Sequence, residues 1–186
     1  MVRRNLIGTG GTLVAALATI WAGSAGAECT STLGSVGMPM DGATIICDDS
    51  DPNPFPGPGS VGGGANLLDV DILPNASIET GPGDDGIEVG DDSTVDHEGG
   101  EISGDLSGIS ANSNNTININ GDVSLGLPVI EGRTASAVVL GTGNTVSVTT
   151  ELGVVRAVAD GHGFEFGDGN VINNAADIEL ATGNFD

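Results

Sequence analysis

Four segments of this chain can be laid over one another: Gly86-Ile87-Glu88-Val89, Gly108-Ile109-Ser110-Ala111, Ala137-Val138-Val139-Leu140 and Gly163-Phe164-Glu165-Phe166. Their second residues lie 22, 29 and 26 positions apart. Counting forward from each of those residues, an apolar side chain returns at +2 and at +8, as Val89 and Val95, Ala111 and Ile117, Leu140 and Val146, Phe166 and Ile172. A third recurs at +14 as Val123, Leu152 and Ile178, and at +15 in the first copy as Ile102. A weaker, earlier copy starts at Val70, with Ile72 and Ile78. Imperfect repetition on this scale belongs to architectures in which each unit leans on the next.

Between the first two apolar pairs of each copy lie Gly90-Asp91-Asp92-Ser93, Asn112-Ser113-Asn114-Asn115, Gly141-Thr142-Gly143-Asn144 and Gly167-Asp168-Gly169-Asn170. Such residues tolerate positive φ and hydrogen-bond their own backbone, which makes each a tight corner and not a helix. The segments that follow, such as Thr116-Ile117-Asn118-Ile119 and Thr145-Val146-Ser147-Val148, alternate with period two, as half-buried strands do. A strand this short cannot bury its apolar face alone. If each unit of 22 to 29 residues forms one three-sided coil, equivalent positions stack and the apolar columns become a continuous core. The expected class is therefore all-β, a right-handed parallel β-helix or solenoid of about four to five irregular coils. An antiparallel sandwich would also give many short strands, but not the same recurrent offsets.

Aromatic residues make up only 3% of the chain, a composition shared with disordered segments. Hydrophobic residues nevertheless reach 38%, and their regular spacing calls for a repeat built from small side chains.

The first 27 residues read as an export signal, with Arg3 and Arg4, an apolar stretch from Leu13 to Trp21, and Ala25-Gly26-Ala27 as a cleavage site ending at Ala27. The apolar stretch is too short and too interrupted by glycine for a membrane span. Arg3-Arg4-Asn5-Leu6-Ile7 also loosely resembles a twin-arginine signal. With Trp21 removed and no tyrosine in the chain, the mature protein should barely absorb at 280 nm. Residues 28–64 form a cysteine-bearing start and a Pro/Gly-rich linker, Asp51-Pro52-Asn53-Pro54-Phe55-Pro56-Gly57-Pro58-Gly59, and residues 65–186 carry the repeats. Cys29 and Cys47 are the only cysteines, and a lone pair in an exported chain is most simply a disulfide.

The net charge is −22; without Arg3 and Arg4, only Arg133 and Arg156 face 26 acids, a balance of −24, and there is no lysine. That balance argues against nucleic acid, whose affinity for proteins comes from neutralised phosphates, and against anionic lipid surfaces.

With units of the form Gly-Ile-x-x-x-x-x-Asn-Thr-Ile-x-Ile-x-Gly-x-Val, carried by Ser107 to Val123, Ala137 to Val154 and Gly163 to Leu180, the chain resembles the N-terminal passenger region of bacterial autotransporters. The resemblance implies a parallel β-helix presented outside a Gram-negative cell, or held in its periplasm. It also implies a C-terminal outer-membrane β-barrel as partner in the full-length form, and no such alternating strands occur before Asp186. The function it implies is a structural or adhesive surface module, a stiff acidic stalk whose lateral face meets a host or neighbouring cell.

Two chemical alternatives remain. Gly83-Asp84-Asp85-Gly86 and Gly161-His162-Gly163 resemble two signatures of polygalacturonase-type glycosidases, β-helical enzymes that act through paired carboxylates. Asp85 and His162 are 77 residues apart, the lysine-bearing element of that family is absent, and the expectation is no catalytic residue. Calcium is the one cofactor to consider, through Asp84, Asp85, Asp91, Asp92 and Asp168 in Gly-rich corners, although acidic corners are usually just solvated. His97 and His162 lack metal-ligand spacing and are expected at the surface.

Overall fold

The computed structural model describes residues 29–50, 59–120, 128–149, 154–158 and 161–181. The export signal with its cleavage site at Ala27, most of the proline-rich linker, and Val123 and Leu152 lie outside the described residues. Every regular element is a strand, and no helix occurs among the described residues.

The described residues open with β1 (Cys29–Ser31) and a small hairpin of β2 (Gly34–Ser35) and β3 (Met38–Pro39), then enter the first stacked strand, β4 (Thr44–Cys47). From there it circulates through three sheets. β5 (Asp69–Ile72), β6 (Ile78–Glu79) and β7 (Ile87–Val89) form one turn, and β8 (Thr94–His97), β9 (Ile102–Gly104) and β10 (Ile109–Ala111) the next. β11 (Thr116–Ile119), β12 (Pro128–Gly132) and β13 (Val138–Leu140) follow, then β14 (Thr145–Val148), β15 (Val154–Val158) and β16 (Phe164–Phe166). β17 (Val171–Asn174) and β18 (Asp177–Ala181) begin another turn. The result is a β-solenoid of about four turns.

A seven-stranded sheet runs β1-β4-β5-β8-β11-β14-β17, a five-stranded sheet β6-β9-β12-β15-β18 and a four-stranded sheet β7-β10-β13-β16. All pairings within these sheets are parallel except β1 with β4. Because side chains alternate along a strand, one column of each sheet points inward at every second position. Val70, Val95, Ile117 and Val146 stack in the seven-stranded sheet, Ile87, Ile109 and Val138 in the four-stranded sheet, and Ile78, Ile102, Ile130 and Val155 in the five-stranded sheet. All of these are buried, and together they form one core.

The pairings correct two expectations. Ile130 and Val155 occupy the third column between Ile102 and Ile178, in place of Val123 and Leu152. A fixed offset fails there because the connection from the seven- to the five-stranded sheet changes length from turn to turn. Val70 pairs with Val95, so it belongs to the second column, and Val61, bridged to Ile87, holds the first position of the earlier copy.

The corner leading into the seven-stranded sheet is the most regular. Its third residue has positive φ in four successive turns, at Asp92, Asn114, Gly143 and Gly169. Its fourth forms a ladder: Asn115 Oδ1 accepts the amide of Ser93, Asn144 Oδ1 that of Asn115, and Asn170 Oδ1 that of Asn144, at 2.7 to 2.8 Å. The glycine opening three of the repeats has a steric cause. A Cβ on Gly86, Gly108 or Gly163 would collide with Ile102, Ile130 or Ile178 of the five-stranded sheet.

Candidate functional site

Cys29 and Cys47 are bonded, fastening the antiparallel β1 to the first parallel strand. The acidic corner residues are employed between coils. Asp84 accepts the amide of Gly59, Asp85 that of Ser107 and Asp91 that of Ser113, at 2.8 to 3.1 Å. Asp92 and Asp168 are exposed, the former as the positive-φ residue of its turn. Asp84 and Asp85 sit in the corner before β7, whereas Asp91, Asp92 and Asp168 sit in corners after β7 and β16. Among the described residues no three His, Cys, Asp or Glu side chains are grouped to hold a metal ion.

Asp85 and His162 occupy the same corner position, two residues before β7 and β16, with Ser107 and Ser136 at the equivalent places between them. Three rungs at about 4.8 Å put them roughly 14 Å apart, beyond the span of about 5 to 9.5 Å across which paired acids act on a glycosidic bond. The glycines beside them serve packing, as described for Gly86 and Gly163.

His162 is exposed, as expected, but His97 is not. It stands in the inward column between Ile72 and Ile119, fully buried, and neither ring nitrogen has a hydrogen-bond partner. Burial lowers its pKa to about 4; the Gly99 and Gly100 backbone lies close enough to oppose this weakly, although neither contact has the geometry of a hydrogen bond. The surface expectation fails because Thr94-Val95-Asp96-His97 alternates: the register that buries Val95 buries His97 as well.

The grouping that spacing does not reveal lies on the outer face of the five-stranded sheet. Glu79, Ser103 and Glu131 are register partners in successive coils and share one outward column. Arg133, two residues beyond Glu131, reaches back across the Ser103 rung. Its Nη2 lies 2.6 Å from Glu79 Oε1 and its Nε 3.4 Å from Glu131 Oε1. Arg156 approaches the other oxygen of Glu131 at 3.5 Å. The only two cations beyond residue 4 thus converge on one patch of a strongly acidic molecule.

Under this clasp Ser103 points outward and is still only 1% exposed, and its Oγ has no hydrogen-bond partner. A buried hydroxyl left unpaired costs about 1 to 3 kcal/mol. Ser77, Ile78, Glu79, Glu101, Ser103 and Arg133 line a pocket of about 220 Å³. Glu101 enters it from the corner before β9, where Ser77 Oγ accepts its amide at 3.1 Å. Burial raises the Glu101 pKa first, then the charge of Glu131; Glu79 adds to the rise, and Arg133 and Arg156 oppose it. The three ion pairs of the patch leave Glu101 out.

This arrangement can bind by charge and hydrogen bonding. The sign of its cations marked them as unusual in the sequence, but their convergence depends on a contact between residues 54 positions apart. No protein-family model, curated protein or solved structure matches the chain.

Proposed function

We propose that the chain is an exported structural or adhesive module, a β-helical stalk of the kind found in autotransporter passengers, with the clasped face of the five-stranded sheet as its contact surface. The observation that carries the reading is the coil-on-coil bonding among the described residues. Three parallel sheets, an asparagine ladder and carboxylate-to-amide bonds all run along the stacking axis, which is how a chain gains length and stiffness without a large globular core. The Cys29–Cys47 bond suits an oxidising compartment outside the cytoplasm. A rod of this kind works by presenting side chains at fixed intervals, and the outward columns supply them.

The test is surface display. The gene with its native downstream sequence, carrying an epitope tag inserted after Asn120, is expressed in a Gram-negative host, and intact cells are treated with protease. Loss of the tag from intact cells, with a periplasmic marker preserved, is the expected result. A tag that is cleaved only after lysis would sink the display reading.

A further inference from the structure

We infer that the pocket over Ser103 is a receptor for a primary ammonium group, presented by a lysine side chain or by a small free amine. The inference gives the contact face its chemistry and rests on that reading, although binding in solution does not depend on display.

Three features of the patch call for the same ligand. Ser103 lines the pocket, and its buried Oγ has no partner, so the site contains an unmet hydrogen bond. Glu79, Glu101 and Glu131 against Arg133 and Arg156 leave one negative charge in excess, and the ion pairs spare Glu101. The space of about 220 Å³ suits a single head group on a narrow stem and is smaller than the pockets that take drug-sized ligands.

An ammonium offers three donors, no acceptor and one positive charge on an unbranched chain. Ser103 Oγ, the Glu101 carboxylate and the second oxygen of Glu79 are the acceptors that would receive it. A neutral hydroxyl would partner Ser103 but leave Glu101 uncompensated. A multivalent metal ion would need grouped ligands, which are absent among the described residues. The net charge of the whole molecule draws cations towards it from solution.

The experiment titrates the isotope-labelled mature chain with n-butylamine, Nα-acetyl-lysine amide or butyltrimethylammonium at about 0.15 M ionic strength, following the Glu101 and Ser103 amide signals. Saturable shifts with either primary amine, absent with the trimethylammonium analogue that has charge but no donors, are expected. Glu101→Gln should weaken binding roughly tenfold, and Ser103→Ala should weaken it severalfold. Circular dichroism of each variant establishes that the fold is kept. A tighter fit for the lysine derivative assigns a protein partner, and a tighter fit for butylamine assigns a free amine. Equal shifts from butyltrimethylammonium would mean diffuse charge attraction and overturn the proposal. So would undiminished binding by Glu101→Gln, or no saturation up to about 100 mM, the behaviour of a pocket filled only by water.

Discussion

His97 sits where the neighbouring coils place Ile72 and Ile119, and its burial makes stability depend on pH in a definite direction. Folded, the ring takes a proton only near pH 4; unfolded, it does so near 6.5. The unfolded chain therefore binds more protons between these values, and stability falls as pH drops through that window. The full effect is on the order of 3 kcal/mol. Chemical denaturation of wild type and His97→Leu at pH 7.5 and pH 4.5 isolates it from the many carboxylates that titrate in both proteins. The difference between the two should widen in favour of the leucine variant at the lower pH. An unchanged difference would mean that the ring is solvated.

At the scale of elements, the asparagine ladder binds corner to corner. Asn144 is fully buried, accepts the Asn115 amide, and donates Nδ2 to Asn112 O at 2.9 Å and to Asn170 Oδ1 at 3.0 Å. Asn144→Ala removes the acceptor of a buried amide and should cost about 2 to 4 kcal/mol, read from urea melts. Asn170→Ala, nearer the last described rung and less buried, should cost less. The N-terminal cap depends on a different bond. Reduction of Cys29–Cys47 releases the only antiparallel strand of the seven-stranded sheet and should cost about 3 kcal/mol for a closure of 18 residues. A melt that is identical with and without reductant would show that β1 is held by its backbone pairing alone.

How much of this was legible follows from which distances are local. The first two columns could be read directly, because the corner between β7 and β8 and its later equivalents always has four residues. The third could not be read by counting, because four residues separate β8 from β9 and eight separate β11 from β12. His97 was legible in principle from its alternation with Val95, a signal outweighed by the usual exposure of histidine. The clasp was not legible: Glu79 and Arg133 meet only once the intervening turn has been stacked.

For the whole molecule, net charge is the largest uncompensated term. Self-repulsion opposes compaction and is screened by salt. Raising sodium chloride from about 0.01 to 0.5 M should therefore raise the melting temperature. Because Asp84, Asp85 and Asp91 already hold amides of adjoining coils, calcium should do no more than magnesium at equal ionic strength, and a chelator should leave the midpoint unchanged. A calcium-specific rise of several degrees would restore the acidic corners as ion sites.

Of the three edges along the molecule one is strict, with four residues in every corner from the four- to the seven-stranded sheet, and the other two vary in length. Losing a single residue from the four-residue corner would shift the next strand by one position and turn its apolar face to water. From the seven- to the five-stranded sheet, four residues separate β8 from β9 and eight separate β11 from β12, and from the five- to the four-stranded sheet seven separate β6 from β7 and four separate β9 from β10. A foreign peptide spliced after Asn120 should thus leave the pairings of β11 and β12 with their neighbours as they are. Change in such a lineage should accumulate along those two borders and spare the third, as a hem can be let out without recutting the cloth.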